Sequence, residues 1–143
     1  MDLWEEVAEP VELLLLECRS AMLEHRDEDY PKEAVGILTS DGVTWPLINQ
    51  ARSPKRFAVS QKLVEEAIAE LGRHDQHPVA VYHSHPTSSS GASERDVMMM
   101  QENPGSLHVI VGQDGIASWM WWDSLRSVVR IPLPEKVSHG EPT

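Results

Sequence analysis

The apolar positions along the chain fall into segments of two different periods. From residue 10 to 25, Val11, Leu14, Leu15, Cys18 and Met22 recur at the three- and four-residue spacing of one helical face, which predicts a helix. Glu24 to Pro31 is polar and reads as the turn that closes it. Ala34 to Leu38 is a continuous apolar run of strand length, Ser40-Asp41-Gly42 is a hairpin turn signal, and Val43 to Leu47 returns as a second strand. Phe57 to Val59 gives a further short strand. Ser60 suits the N-cap of a helix from Gln61 to Leu71, whose Leu63, Val64, Ala67, Ile68 and Leu71 form one stripe. Val79 to Tyr82 is a strand that runs straight into His83. Ser93 opens a helix through Gln101, which Asn103-Pro104-Gly105 ends. Leu107 to Val111, Ile116 to Trp121 and Ser127 to Ile131 are three more strands. The order α, β-β, α, β, α, β-β-β predicts an α/β domain, a single mixed sheet with flanking helices, over residues 1–133. A polar tail rich in Pro and Gly, flexible in expectation, follows at 134–143.

Charge narrows the function classes. Twelve basic residues against 23 acidic ones give a net charge of -11, which repels duplex nucleic acid and anionic membrane surfaces, and no Lys/Arg stripe offsets it. With Gly counted as a break, no apolar run exceeds four residues, the length of Leu13 to Leu16, which is far too short to span a bilayer. The acidic start Met1 to Glu6 is unlike a secretory signal, so a cytoplasmic setting is expected. The one cysteine, Cys18, lies on the apolar helical stripe and reads as a buried thiol. Trp119 and Trp121 alternate on a strand and should share a face under a helix. The run Met98 to Met100 reads as helix core. His74 and His77 sit in a polar loop and read as exposed, His108 as core or rim, and His25 as part of a charged stretch; none is assigned as a ligand.

The chemistry concentrates between His83 and Asp96. On an extended strand residues i and i+2 point to the same side, so His83 and His85 can present both imidazoles to one point. Two neutral imidazoles and one carboxylate suit Zn²⁺, and three protein ligands leave a fourth position for water, as at a catalytic rather than a structural zinc. The Ser- and Gly-rich loop after Pro86 lets the chain return with Asp96 one turn into the next helix. Ser93 lies three residues before Asp96 on the same helical face, where it can donate to an oxyanion and also begin the helix as a cap. Glu33 stands just before the strand Ala34–Leu38; if that strand lies beside Val79–Tyr82, its carboxylate reaches the site as a general base. Ser84, between the two His, points away from the metal side, and no Gly-x-Ser-x-Gly elbow surrounds it. The Pro-Cys-x-x-Cys half of the zinc-deaminase signature is absent.

His83-Ser84-His85-Pro86, then Ser93-Glu94-Arg95-Asp96, with Glu33-Ala34-Val35-Gly36-Ile37-Leu38 upstream, resembles the JAMM (MPN+, JAB1/MPN/Mov34) metallopeptidase family, in a compact prokaryotic or phage form. Residues 10–131 carry the resemblance. It implies a cytidine deaminase-like fold, Zn²⁺ on His83, His85 and Asp96, Glu33 as proton shuttle and Ser93 as oxyanion support. It implies hydrolysis of a peptide or isopeptide bond at the C-terminal tail of a ubiquitin-like or sulfur-carrier protein. Such a tail is expected to add as a strand at a sheet edge near the metal, a mode that positions backbone without demanding particular side chains. The stretch from Val97 to Ser106 has no room for the long insertions of linkage-specific ubiquitin enzymes, and Val35 stands where many relatives have Cys. Two alternatives go with the resemblance: a non-catalytic binding module of the same fold, and a peptidase subunit of a phage tail assembly.

Overall fold

The computed structural model describes residues 3–51, 59–102 and 104–134. Among these residues three helices and six strands follow in the order α1 (Leu3–Asp29), β1 (Val35–Thr39), β2 (Thr44–Leu47), α2 (Gln61–Arg73), β3 (Pro78–Ser84), α3 (Glu94–Glu102), β4 (Leu107–Gly112), β5 (Gly115–Trp122) and β6 (Ser127–Pro134). The strands form one mixed sheet in the order β2-β1-β3-β4-β5-β6. Every pairing is antiparallel except β3 with β4. A parallel pair cannot be joined by a tight turn, and α3 with its flanking loops is the crossover. The edge strands carry Pro46 in β2 and Pro132 and Pro134 in β6, and Pro78 is the first residue of β3, positions where a missing N–H is tolerated.

Alternation along the strands sorts residues between two covered faces. On one face α1 packs Val11, Leu15, Cys18 and Met22 against Leu38, Ala80, Tyr82, Val109, Val111, Ile116 and Ile131. On the other, α2 sets Ala67 and Leu71 on Ile37, and α3 sets Met100 on Ile110 and Trp121, with Trp119 packed beside them. Ala80 and Tyr82 therefore face α1, while Val81 and His83 face the side of α2 and α3. A one-residue slip in β3 would exchange the two sets. Burial, with Glu17 beside it, pushes the Cys18 thiol up to about 11, so it stays protonated and inert at neutral pH.

The first helix is longer than its apolar stripe predicts. It begins at Leu3, passes through Pro10 and continues to Asp29 across the segment expected to be a turn. Two polar anchors hold that last stretch on the sheet. Buried His25 shares a 2.6 Å hydrogen bond between its Nδ1 and the Tyr82 hydroxyl, and its Nε2 lies 3.2 Å from Asp29. Arg26 donates to the Gly112 carbonyl at 2.9 Å. Ser60 caps α2 as expected, accepting from the Leu63 N–H at 3.2 Å. Of the methionine run only Met100 is fully buried, while Met98 is 62% exposed, because successive helix positions point different ways. Phe57 and Ala58 of the expected short strand lie outside the described residues, and Val59 is not in a strand. Pro134 of the expected tail ends β6; the remainder, from 135, lies outside the described residues. Among the described residues no helix is long and apolar enough to cross a membrane.

Tyr82 is 1% exposed and its ring lies against Gly36 of the neighbouring strand, where a Cβ would come within 2.4 Å of it. With the ring hemmed in and its hydroxyl held by His25, it has no free direction in which to yield. Gly36→Ala should therefore destabilise the fold by about 1–3 kcal/mol, as overpacked cores do. The shift should appear as a lower urea midpoint at unchanged slope; an unchanged midpoint would show that the ring has room.

Candidate metal centre

β3 delivers His83 at its end, and the backbone keeps the strand's direction one residue further: the His85 N–H donates to the Val111 carbonyl of β4 at 2.9 Å. The two imidazoles lie with ring centroids 5.1 Å apart. The loop then returns to Ser93, and α3 begins with two reciprocal bonds. The Ser93 N–H donates to Asp96 Oδ2 at 3.0 Å, and the Asp96 N–H donates to Ser93 Oγ at 3.1 Å. This is the expected capping arrangement, and it sets the Asp96 carboxylate toward the strand end. Asp96 Oδ1 lies 3.2 Å from His83 Nε2 and Oδ2 lies 3.1 Å from His85 Nε2. One donor atom from each of the three residues lies within 4.8 Å of the others.

Protonation chemistry tests whether these groups suit a metal. His85 Nδ1 is 2.8 Å from the Ser89 carbonyl, which can only accept, so Nδ1 must carry the proton. In the neutral ring Nε2 then presents a lone pair, and what faces it is a carboxylate oxygen. Two acceptors at that distance call for a cation, either a proton or a metal ion. An imidazole fixed through its other nitrogen is the usual setting of a metal-ligating His, and the N, N, O set fits a divalent ion.

Burial and charge act together on these groups. Burial alone would raise the Asp96 carboxyl, but His83, His85 and the Ser93 N–H hold it far below the ordinary carboxylate range. Burial alone would lower His85, but Asp96 and the Ser89 carbonyl leave it raised above its ordinary value. Burial raises Glu33, and the nearby His83 and His85 only partly offset this while Asp96 adds to it. Glu33, at 7% exposure, precedes β1 on the strand beside β3, as Val35 pairs with His83.

Two residues that sequence reasoning left without a role fix Glu33 in place. Ser84 faces away from the imidazoles, as alternation requires, and its Oγ accepts from the Ala34 N–H at 2.8 Å. Asn49 donates to the Glu33 carbonyl at 2.8 Å. His108 is buried on the imidazole face, where burial and the proximity of His83 push it below the ordinary His value. His74 is exposed and pairs with Glu70 at 3.0 Å, apart from the cluster.

A family model described as prokaryotic homologs of the JAB domain matches residues 16–122. Proteins named CysO-cysteine peptidase from Mycobacterium bovis and Mycobacterium tuberculosis are 29% identical over 98 residues, which is 64% of this chain. The match spans 66% of the length of these curated relatives. The solution structure of a protein from Desulfitobacterium hafniense superposes with a TM-score of 0.67 at 21% identity, covering 84% of this chain and 90% of that one; this likeness speaks to the fold.

The raised His85 and depressed Asp96 have opposite consequences for pH. A group with a raised folded value contributes stability below its unfolded value and loses it as pH climbs through the folded one. The Asp96 contribution is present above the ordinary carboxylate range and lost only in strong acid. The metal-free protein should therefore lose stability as pH rises from about 6.5, the ordinary value for His. Divalent metal competes with the same proton, so its affinity should rise over that range. Thermal melts across neutral and mildly alkaline pH, with and without metal, should show a falling metal-free Tm and a growing metal-induced increment. Flat profiles in both series would refute the coupling.

Proposed function

The chain belongs to the family of prokaryotic homologs of the JAB domain, and from that premise we propose that it is a zinc-dependent peptidase or isopeptidase. In this reading its substrate is the C-terminal tail of a ubiquitin-like or sulfur-carrier protein. The observation that carries it is the convergence of His83, His85 and Asp96 within 4.8 Å, with buried Glu33 just before the adjoining strand β1. The sulfur-carrier class draws its support from the mycobacterial relatives, whose name gives CysO-cysteine as what they cleave. A cytoplasmic setting goes with the reading and suits a lone buried thiol.

His83, His85 and Asp96 would hold the zinc, which supplies Lewis-acid polarisation of the scissile carbonyl and a lowered pKa for water. The protein's own groups do the rest. Glu33, its carboxyl raised by burial, is the group that would take a proton from the attacking water and return it to the leaving amine. Ser93 Oγ accepts from the Asp96 N–H, which leaves its hydroxyl hydrogen free to donate to the developing oxyanion. Among the described residues the sheet edges are β2 and β6, so a tail adding as a strand would use β2, whose Leu47 is level with Val35 and hence with His83. By ordinary strand spacing that edge lies about 10 Å from β3.

The reading makes a split prediction. Wild-type protein purified without added metal should carry about one zinc per chain by elemental analysis, and His85→Ala should lose it. Glu33→Gln should keep the zinc yet lose about 10²- to 10⁴-fold in turnover of a sulfur-carrier fusion. A Glu33→Gln protein that turns over normally, or that loses its zinc, removes Glu33 from the role of base.

A further inference from the structure

The loop between His85 and Ser93 is held from behind by residues that no motif includes. Ser90 lies at its middle and is 2% exposed. Its N–H donates to Asp114 Oδ1 at 2.7 Å. Its carbonyl accepts from Trp119 Nε1 at 3.0 Å, and its hydroxyl accepts from the Arg130 guanidinium at 3.2 Å. These partners come from the β4–β5 turn, from β5 and from β6. Arg130 also lies over the Trp119 ring at 5.3 Å, so two of the three brace each other.

The neighbouring residues are pinned in the same way. The Gln113 N–H donates to the Ser88 carbonyl and its side chain to the Pro86 carbonyl, both at 2.9 Å. A Cβ at Gly112 would stand 2.2 Å from the Ser90 nitrogen, so the loop rests directly on the backbone at the end of β4. Between pinned Ser88 and pinned Ser90 lies the Ser89 carbonyl, which faces His85 Nδ1.

The geometry points to Asp114, Trp119 and Arg130 as positioning residues for His85: by fixing the Ser90 peptide they fix the Ser89 carbonyl, and so the tautomer and aim of the His85 ring toward the metal. The inference rests on the metal-site reading and adds to it a frame drawn from the C-terminal hairpin. Residues that orient a ligand through its second nitrogen typically control metal affinity by about 10- to 100-fold. Asp114 is the best handle because it is exposed, and its replacement opens no cavity.

The test is zinc affinity of the full chain, by competition with a chromophoric chelator, for wild type, Asp114→Ala, Asp114→Asn and Arg130→Met. Asp114→Ala should bind zinc about 10- to 100-fold more weakly at an unchanged metal-free Tm. Asp114→Asn should recover most of the loss, since an amide oxygen still accepts from the Ser90 N–H. Arg130→Met should weaken binding in the same direction while its stem still covers Trp119. Wild-type affinity in Asp114→Ala, or an Asp114→Asn protein as weak as Asp114→Ala, would overturn the positioning role and leave the metal site standing. A wild type that binds no zinc would instead overturn the metal reading itself.

Discussion

One constraint governs the arrangement: β3 and β4 are neighbours that run the same way. The chain must leave the sheet at the end of β3, cross over its face and begin β4 at the opposite end. The point of departure is His83 to His85, and the crossover element begins with Ser93 and Asp96. The carboxylate therefore comes back to the imidazoles as a consequence of topology, and the helix that carries it points its N-terminus at the same place, where negative charge is favoured. The neighbour of β3 on its other side, β1, is antiparallel, so β1 begins where β3 ends. That puts Glu33 at the same level without any special loop.

Strand alternation divides the labour at this junction. Tyr82 and His83 are consecutive and must face opposite ways. Tyr82 binds α1 to the sheet through His25, and His83 faces Asp96. Ser84, next in line, turns back and fastens the backbone of Ala34. The carboxylate of Asp96 then sits between two imidazoles in a desolvated setting, where a cation is worth far more than it would be in water.

Much of this was legible in the sequence because it rests on short-range geometry. The His-x-His spacing on a strand, the Ser-x-x-Asp start of a helix and the apolar stripe of α2 each determine which side chains share a face. The full extent of α1 was not legible. Glu24 to Asp29 is polar, and it stays helical because His25 and Arg26 reach Tyr82 and Gly112, partners far along the chain. The role of Ser84 was half legible: alternation gave its direction, but only the β1–β3 pairing reveals what it holds. The frame around Ser90 left no trace in local pattern, since its partners lie 24 to 40 residues away in sequence and meet it only once the sheet has formed.

That separation also sets an order of assembly. Every candidate ligand, with Glu33, precedes residue 97, whereas the groups that hold the loop stand at 114, 119 and 130. A chain emerging from the ribosome from its N-terminus passes through a stage in which all the donor atoms are outside and nothing yet fixes their loop. If His83, His85 and Asp96 take a metal, discrimination between ions belongs to the moment when β6 closes the sheet, not to the moment when the last ligand appears.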